Sequence, residues 1–169
     1  SSTGPGAIEL RVSVGRDDDV ASQLGDVCGL EHLILGLEGA PSMDHALHVV
    51  ALLDRVAGLE TMRARLGTSQ YITILNQVCL HHMKHEAIVG HVVSIFGKLC
   101  TAEDVVIIEM AANVPYTLKW ALQTHATKTL WEGCVMTASR LVAGRNAART
   151  GYVCEQVAPE LVAAFRATL

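Results

Sequence analysis

Apolar residues recur at intervals of three and four along most of the chain. The clearest segments are 44–58, 86–100 and 129–144, which read DHALHVVALLDRVAG, EAIVGHVVSIFGKLC and TLWEGCVMTASRLVAG. This spacing puts the apolar side chains on one face of an α-helix. Gly58 and Gly144 are the last residues of the first and third segments, where helices commonly stop. The pattern predicts three long amphipathic helices.

The N-terminal stretch AIELRVSV has a different pattern, because its apolar and polar residues alternate. Alternation is typical of a half-buried strand. No second strand pattern lies near it in the sequence. Residues 1–16 are therefore predicted to form an extended arm, and the class of the remaining chain, 17–169, is predicted to be all-α.

The helical part repeats itself with a period of about 43 residues. Short helical stretches begin at positions 43 residues apart, namely Asp17, Glu60, Glu103 and Asn146. The apolar set of the first long segment is Val49, Val50, Leu53 and Val56. It returns as Val92, Val93, Phe96 and Leu99, and more weakly as Val135, Met136, Ser139 and Val142. A fixed period of this length is typical of stacked helical units that bury their apolar faces on their neighbours.

Particular segments resemble armadillo repeats, whose unit has a short helix, a medium helix and a longer third helix. GRNAARTGYVCEQVAPELVAAF and EDVVIIEMAANVPYTLKWAL resemble the first two helices, including Val114-Pro115, and TLWEGCVMTASRLVAG resembles the third. Proline is well suited to the first turn of a helix, where its missing N–H is not needed. The resemblance implies a right-handed α-solenoid of about four armadillo-like or HEAT-like repeats. The units are roughly 17–58, 59–101, 102–144 and a partial 145–169.

The third helices carry a recurring set of polar residues. His48 lies seven residues before Arg55, and His91 lies seven residues before Lys98. Seven residues make two helical turns, so each pair shares one helix face. With a shift of one residue, the third long segment offers Met136 and Arg140. The family usually has Trp and Asn on this helix, and their absence argues against a Trp–Asn ladder for peptide recognition.

In an armadillo-like stack the third helices line a concave groove, which predicts one binding surface. Its residues are His48, Ala51, Arg55, His91, Ser94, Lys98, Met136 and Arg140. Arginine binds carboxylates through two parallel hydrogen bonds, so the predicted partner is an extended, acidic segment of a protein or peptide. The alternative is a solvated helix face, since Lys and Arg are usually exposed.

These features predict a non-catalytic interaction scaffold or adaptor without a cofactor or catalytic residues. The alternative is a regulatory or assembly domain of a larger signalling or cytoskeletal protein. It would act through the edges of the stack or by self-association at the C-terminal end. Leu161, Val162 and Phe165 favour that alternative because they are apolar and lie near this end.

Histidines and tryptophans offer further candidate chemistry. The stretch LHHMKHEA places His81, His82 and His85 within five positions, which could suggest a metal site. No second HxxH or CxxC motif supports four ligands, so the stretch is predicted to be a turn between two helices, with no metal. A metal-dependent helical enzyme is the distant alternative. Trp120 is predicted to pack in the core, and Trp131 to cover a turn between units.

Composition narrows the possible partners and the cellular location of the protein. The net charge is −4, whereas nucleic-acid partners usually require a basic surface. The five cysteines are odd in number and widely spaced, which is typical of reduced thiols in an intracellular, here cytoplasmic, protein. No apolar run reaches the roughly 18 residues of a membrane span. The opening SSTGPG lacks the charged and apolar regions of a signal peptide.

Overall fold

The computed structural model describes residues 29–39 and 41–168, and within these ranges helices are joined by short turns. The helices are α1 Leu30–Leu35, α2 Met43–Ala57, α3 Glu60–Leu66, α4 Ser69–His81, α5 Glu86–Leu99, α6 Glu103–Ala111, α7 Val114–Thr124, α8 Lys128–Leu141 and α9 Ala147–Thr168. These ranges contain no strand, which confirms the all-α class for this part of the chain. The predicted arm 1–16 and the short helix from Asp17 lie outside the described residues.

The three long helices predicted from the sequence are α2, α5 and α8, and they lie side by side. Helix α5 packs against α2 on one side and against α8 on the other. The first two apolar sets predicted above are buried at every position. They form the contact of each long helix with the rest of the core.

The third apolar set, predicted at Val135, Met136, Ser139 and Val142, is displaced by one residue. The buried side chains of α8 are instead Leu130, Cys134, Thr137, Ala138 and Leu141. The cause is the length of the preceding turn. The turn before α5 has four residues, 82–85, whereas the turn before α8 has three, 125–127. Helices α5 and α8 are therefore 42 residues apart at both ends.

A second layer of helices covers the apolar side of the long ones. Helix α4 packs against α1, α5 and α7, and α9 packs against α7 and α8. The short helices α3 and α6 connect the layers. Between the layers lie fully buried side chains such as Leu75, Ile88, Phe96 and Leu118. A buried polar bridge also joins α4 to α7, because Asn76 accepts from Thr117 Oγ1 at 2.6 Å.

Local sequence sets where the helices begin. The hydroxyls of Ser42, Thr68 and Thr127 accept from backbone N–H groups in the first turns of α2, α4 and α8. This side-chain cap satisfies a donor that has no partner within the helix. Asn113 precedes α7 in the left-handed region at φ 60°, and Pro115 lies in the first turn, as predicted.

Two predictions about the last third of the chain are wrong. The stretches NAARTGYV and EQVAPELVAAF were expected to form two helices, but both belong to the 22-residue helix α9, with Pro159 inside it. Trp120 was expected in the core, but it lies on the surface of α7 beside Tyr116. Its position is explained by helix periodicity, since the same helix turns Leu118 and Leu122 inward.

Candidate functional site

The predicted binding residues of α5 converge on an aspartate of α2. The carboxylate of Asp54 accepts from Ser94 Oγ at 2.7 Å and from Lys98 Nζ at 2.7 Å, and lies 2.9 Å from His91 Nδ1. Lys98 Nζ also donates to the backbone carbonyl of Asp54 at 2.8 Å. Only 15% of the Asp54 side chain is exposed. Three of the eight predicted binding residues therefore join α2 to α5.

Arg140 makes a similar connection one helix further along. It lies in the last turn of α8, and its Nη1 donates to the backbone carbonyl of Gly97 in the last turn of α5. Gly97 follows Asp54 by 43 residues, and Arg140 follows Lys98 by 42. The two cations thus reach the corresponding carbonyl of the preceding long helix. A large part of the predicted basic surface holds the long helices together.

The remaining predicted residues lie along the same layer without converging. His48 is exposed, and its Nδ1 lies 2.7 Å from the carbonyl oxygen of Asp44. Ala51 is half-buried, and Arg55 is exposed in the last turn of α2. Met136 is half-buried on α8 and approaches Gly97. The structure therefore distributes the eight residues over three helices and one open face.

A cleft of about 790 Å³ runs along this face between α5 and α8. Three predicted residues, His91, Ser94 and Met136, line it. The other lining residues are Asp54, Lys84, His85, Glu86, Ala87, Gly90, Thr129, Leu130, Glu132 and Gly133. Clefts of this volume are within the range of ligand-binding sites.

Small residues open the cleft. Gly90 lies inside α5, and a Cβ there would meet no atom within 4 Å. Gly133 lies inside α8 and also lacks a side chain. Glycine within a helix lowers stability by about 1 kcal/mol relative to alanine, so two such positions call for a compensating role. In this cleft they expose the helix backbones to an approaching chain.

The charge of the cleft differs from the sequence prediction. Its lining contains the carboxylates of Asp54, Glu86 and Glu132 against one lysine, Lys84. The carboxylate of Asp54 is already paired with Lys98. Lys98 and Arg140 do not line the cleft, because they point to the preceding helix. The lining of the cleft therefore has mixed charge, and the acidity of the partner stays a prediction.

The stretch LHHMKHEA forms the turn between α4 and α5, as predicted. His82 follows the end of α4, and His85 precedes α5, where its Nδ1 accepts from Ile88 N–H at 3.4 Å. His125 takes the same place after α7 and lies 2.7 Å from the carbonyl of Met83 in this turn. Burial, followed by the nearby His81, lowers the pKa of His82. Among the described residues, no three metal-binding side chains come together.

Glu109 on α6 is the least expected side chain of the core. Its exposure is 0%, and neither carboxyl oxygen has a hydrogen-bond partner among the residues that the structure describes. Burial raises the pKa of Glu109 to about 8, and the neighbouring Cys100 thiol opposes the rise. Burial also raises the pKa of Cys100 well above its usual range, and that of Cys134 to about 12. These thiols are protonated at neutral pH and so lack the thiolate that a nucleophile requires.

The sequence prediction missed Asp54, Gly90 and Gly133. Two signals could have indicated them. Gly90 and Gly133 are 43 residues apart, each inside a helical pattern, and an isolated glycine there often has a packing or functional reason. Asp54 is a carboxylate in the last turns of α2, where the helix dipole makes a negative charge unfavourable. A cation from another helix is therefore expected beside it.

Comparison with known proteins assigns no family to this arrangement. None of the helices in the described part of the chain is long and apolar enough to cross a membrane. The sequence matches no family model, and comparisons with curated proteins and with solved structures give no significant match.

Proposed function

We propose that this protein is a non-catalytic interaction scaffold of the armadillo-like or HEAT-like kind. It binds an extended segment of a partner protein along the face shared by α2, α5 and α8. The observation that carries the proposal is the cleft of about 790 Å³ between α5 and α8. Stacked helical units create long surfaces of this type, on which function rests on shape and main-chain contacts more than on one reactive group.

The side-by-side packing of α2, α5 and α8 supports the solenoid interpretation. So does the recurrence of the Lys98 and Arg140 contacts at nearly the same interval as the sequence repeat. Each contact fixes one long helix on its predecessor. A surface built from fixed helices loses little conformational entropy when a segment binds to it, which favours affinity.

The proposed partner segment has mixed charge and is held mainly through its backbone. Gly90 and Gly133 allow close approach, and Ser94 and His91 lie at the cleft wall. Glu86, Glu132 and Lys84 provide charges of both signs at its rim. The acidic partner expected from the sequence stays the alternative. Its support is weaker because Lys98 and Arg140 are bonded to the preceding long helix.

A cleft-filling substitution tests the proposal. Gly90→Arg places a long side chain into the cleft without a steric clash at Cβ, and it replaces a poor helix former by a good one. Gly151→Arg is the matched control, because Gly151 is also helical and an added Cβ there also meets none of the described atoms within 4 Å. It lies on α9, away from the cleft.

The measurement is selection of peptides from a displayed random library on the wild-type protein. Enriched peptides should bind wild type and Gly151→Arg equally, and bind Gly90→Arg at least about tenfold more weakly, or 1.4 kcal/mol. Their composition shows whether the cleft prefers mixed or acidic segments. Equal binding to Gly90→Arg, or no enrichment at all, would overturn the proposed function.

A further inference from the structure

The outer side of α8 is less covered than the same side of α5. Helix α8 packs over the side of α5 that contains Val93, which meets Gly133 and Thr137 of α8. Val93 is buried, as are Val89 one turn earlier and Cys100 just after the helix. The corresponding residues 42 positions later are Trp131 and Val135 of α8 and Val142 just after it, and all three are half-buried. We call these three residues the forward face of α8. In the described part of the chain, no helix packs on this side of α8 in the way that α8 packs on α5.

The forward face continues into an apolar groove formed with α9. The groove measures about 470 Å³ and is lined by Trp131, Leu161, Val162, Phe165 and Arg166. Val162 is 52% exposed and Phe165 is 46% exposed. Trp131 fixes the groove wall, because its Nε1 donates to the carbonyl of Leu161 at 2.8 Å and its ring lies 5.4 Å from that of Phe165. Large exposed apolar side chains that cluster in this way mark interaction sites.

We propose that the forward face and this groove bind an amphipathic α-helix of a partner protein. The bound helix would extend the layer α2–α5–α8 by one member. A helix is the expected occupant because the same side of α5 is covered by α8, a helix of 14 residues. Arg166 at the groove wall selects an acidic residue at the flank of the bound helix. This surface is separate from the cleft between α5 and α8.

We expect the apolar side of the bound helix to resemble the side of α8 that packs against α5. That side contains small and medium residues, including Gly133 and Thr137, with Val93 of α5 between them. A helix with similar residues at intervals of three and four would fit between Trp131 and Val142. This recognition mode is that of an amphipathic helix in a groove, in which three or four anchor residues on one face give most of the affinity.

The experiment uses a helix of known fit as its probe. A synthetic peptide copies residues 126–143 with Trp131→Phe and Cys134→Ala, so that it is free of indole and thiol groups. The protein carries Trp120→Phe, which leaves Trp131 as its single indole. Because isolated helices of this length are only marginally stable, a second form tethers the same peptide after Leu169 through a Gly/Ser linker. A short flexible tether gives an effective concentration on the order of 1 mM.

Binding should shift the Trp131 emission to shorter wavelength in a saturable manner. Phe165→Ser should weaken binding of the free peptide at least about tenfold, since it removes an aromatic anchor. Ile107→Ser is the matched control, because Ile107 is also a large exposed apolar residue, at 57%, but lies on α6. It should leave the affinity unchanged. Gly90→Arg should also leave it unchanged, so that failure of the cleft function and failure of this proposal are distinguished.

Three results would overturn the proposal. The first is the absence of any emission shift with both the free and the tethered peptide. The second is binding of equal strength to Phe165→Ser. The third is a concentration-dependent increase of the protein's mass in sedimentation that Phe165→Ser abolishes, because the occupant would then be a second copy of this chain.

Discussion

Lys98 on α5 donates from one ammonium group to both the carboxylate and the backbone carbonyl of Asp54 on α2, at 2.7 and 2.8 Å. Asp54 lies near the C-terminal end of α2, where backbone carbonyls lack partners within the helix and a cation is favourable. The ammonium group therefore neutralises the carboxylate of Asp54 and also gives its backbone carbonyl a hydrogen-bond donor. The pair explains why Lys98 is directed to the neighbouring helix, and Arg140 makes the corresponding carbonyl contact one helix further along.

Removal of the Asp54 charge should weaken the contact between α2 and α5. We expect Asp54→Asn to lower the free energy of unfolding by about 2 kcal/mol, because it loses charge-assisted hydrogen bonds to Lys98 in a mostly buried position. Urea denaturation measures the change. Glu132→Gln is the control, since Glu132 is exposed and 3.9 Å from Lys128, and its change should stay below about 0.5 kcal/mol. Equal effects of the two variants would contradict the structural role of Asp54.

Two glycines of α5 should respond in opposite directions to alanine. A Cβ at Gly97 would come within 2.6 Å of Met136 Cε and 2.8 Å of Thr137 Oγ1, so Gly97→Ala should destabilise by about 1–3 kcal/mol. A Cβ at Gly90 has open space, so Gly90→Ala should stabilise by about 1 kcal/mol. Thermal unfolding of both variants provides the comparison. A stabilising Gly97→Ala would show that α8 does not press on α5 at this position.

Stability should decrease as the pH rises, because of Glu109. Its pKa of about 8 in the folded protein lies above the ordinary value of 4.5, so the folded state retains a proton that the unfolded chain releases. The stabilisation is complete below pH 4.5 and is lost progressively up to about pH 8. The loss has a slope of at most about 1.4 kcal/mol per pH unit.

Glu109→Gln should remove this pH dependence, since a glutamine of the same shape has no proton to lose. Urea midpoints at several pH values within the window measure the slope for wild type and variant. Glu155→Gln is the control for a carboxyl group exposed on α9. The same slope in wild type and Glu109→Gln would show that another group is responsible.

The bridge between α4 and α7 should be sensitive to loss of one partner. Asn76 donates to the carbonyl of Ala112 at 3.0 Å and accepts from Thr117 Oγ1, which is fully buried. Asn76→Ala leaves both groups unsatisfied, and we expect a loss of about 2–3 kcal/mol. Thr117→Val removes the Thr117 hydroxyl, which is one of the two groups left without a partner in Asn76→Ala. The double variant should therefore lose less than the sum of the two single losses in a double-mutant cycle. Strict additivity would argue against the bridge.

Much of the helical framework could be predicted from the sequence, because helix periodicity and end signals are local. Val49, Val50, Leu53 and Val56 share a face in any helix that contains them, and all four are buried. Thr68 and Thr127 begin helices with their own hydroxyls. Local signals were insufficient in α9. There the resemblance to armadillo repeats predicted two helices, whereas the segment forms one continuous helix that packs against α7 and α8.

The candidate site was predictable in its location and not in its chemistry. The eight predicted residues do lie on the long helices, as their spacing required. However, the spacing could not show that Lys98 and Arg140 reach the preceding helix, since their partners are 44 and 43 residues away in sequence. Nor could it show that Gly90 and Gly133 open the same cleft.

The sequence by itself determined the helical class, the long helices and the period of about 43 residues, since each depends on intervals of a few residues or on their recurrence. Tertiary structure alone decided which side chains remain on the open surface. A charged group is directed to the nearest unsatisfied partner in space, and for Lys98 that partner is Asp54 on the neighbouring helix. The one-residue difference between the turns 82–85 and 125–127 places the buried residues of α8 42 positions after those of α5, and not 43 as the repeat predicts.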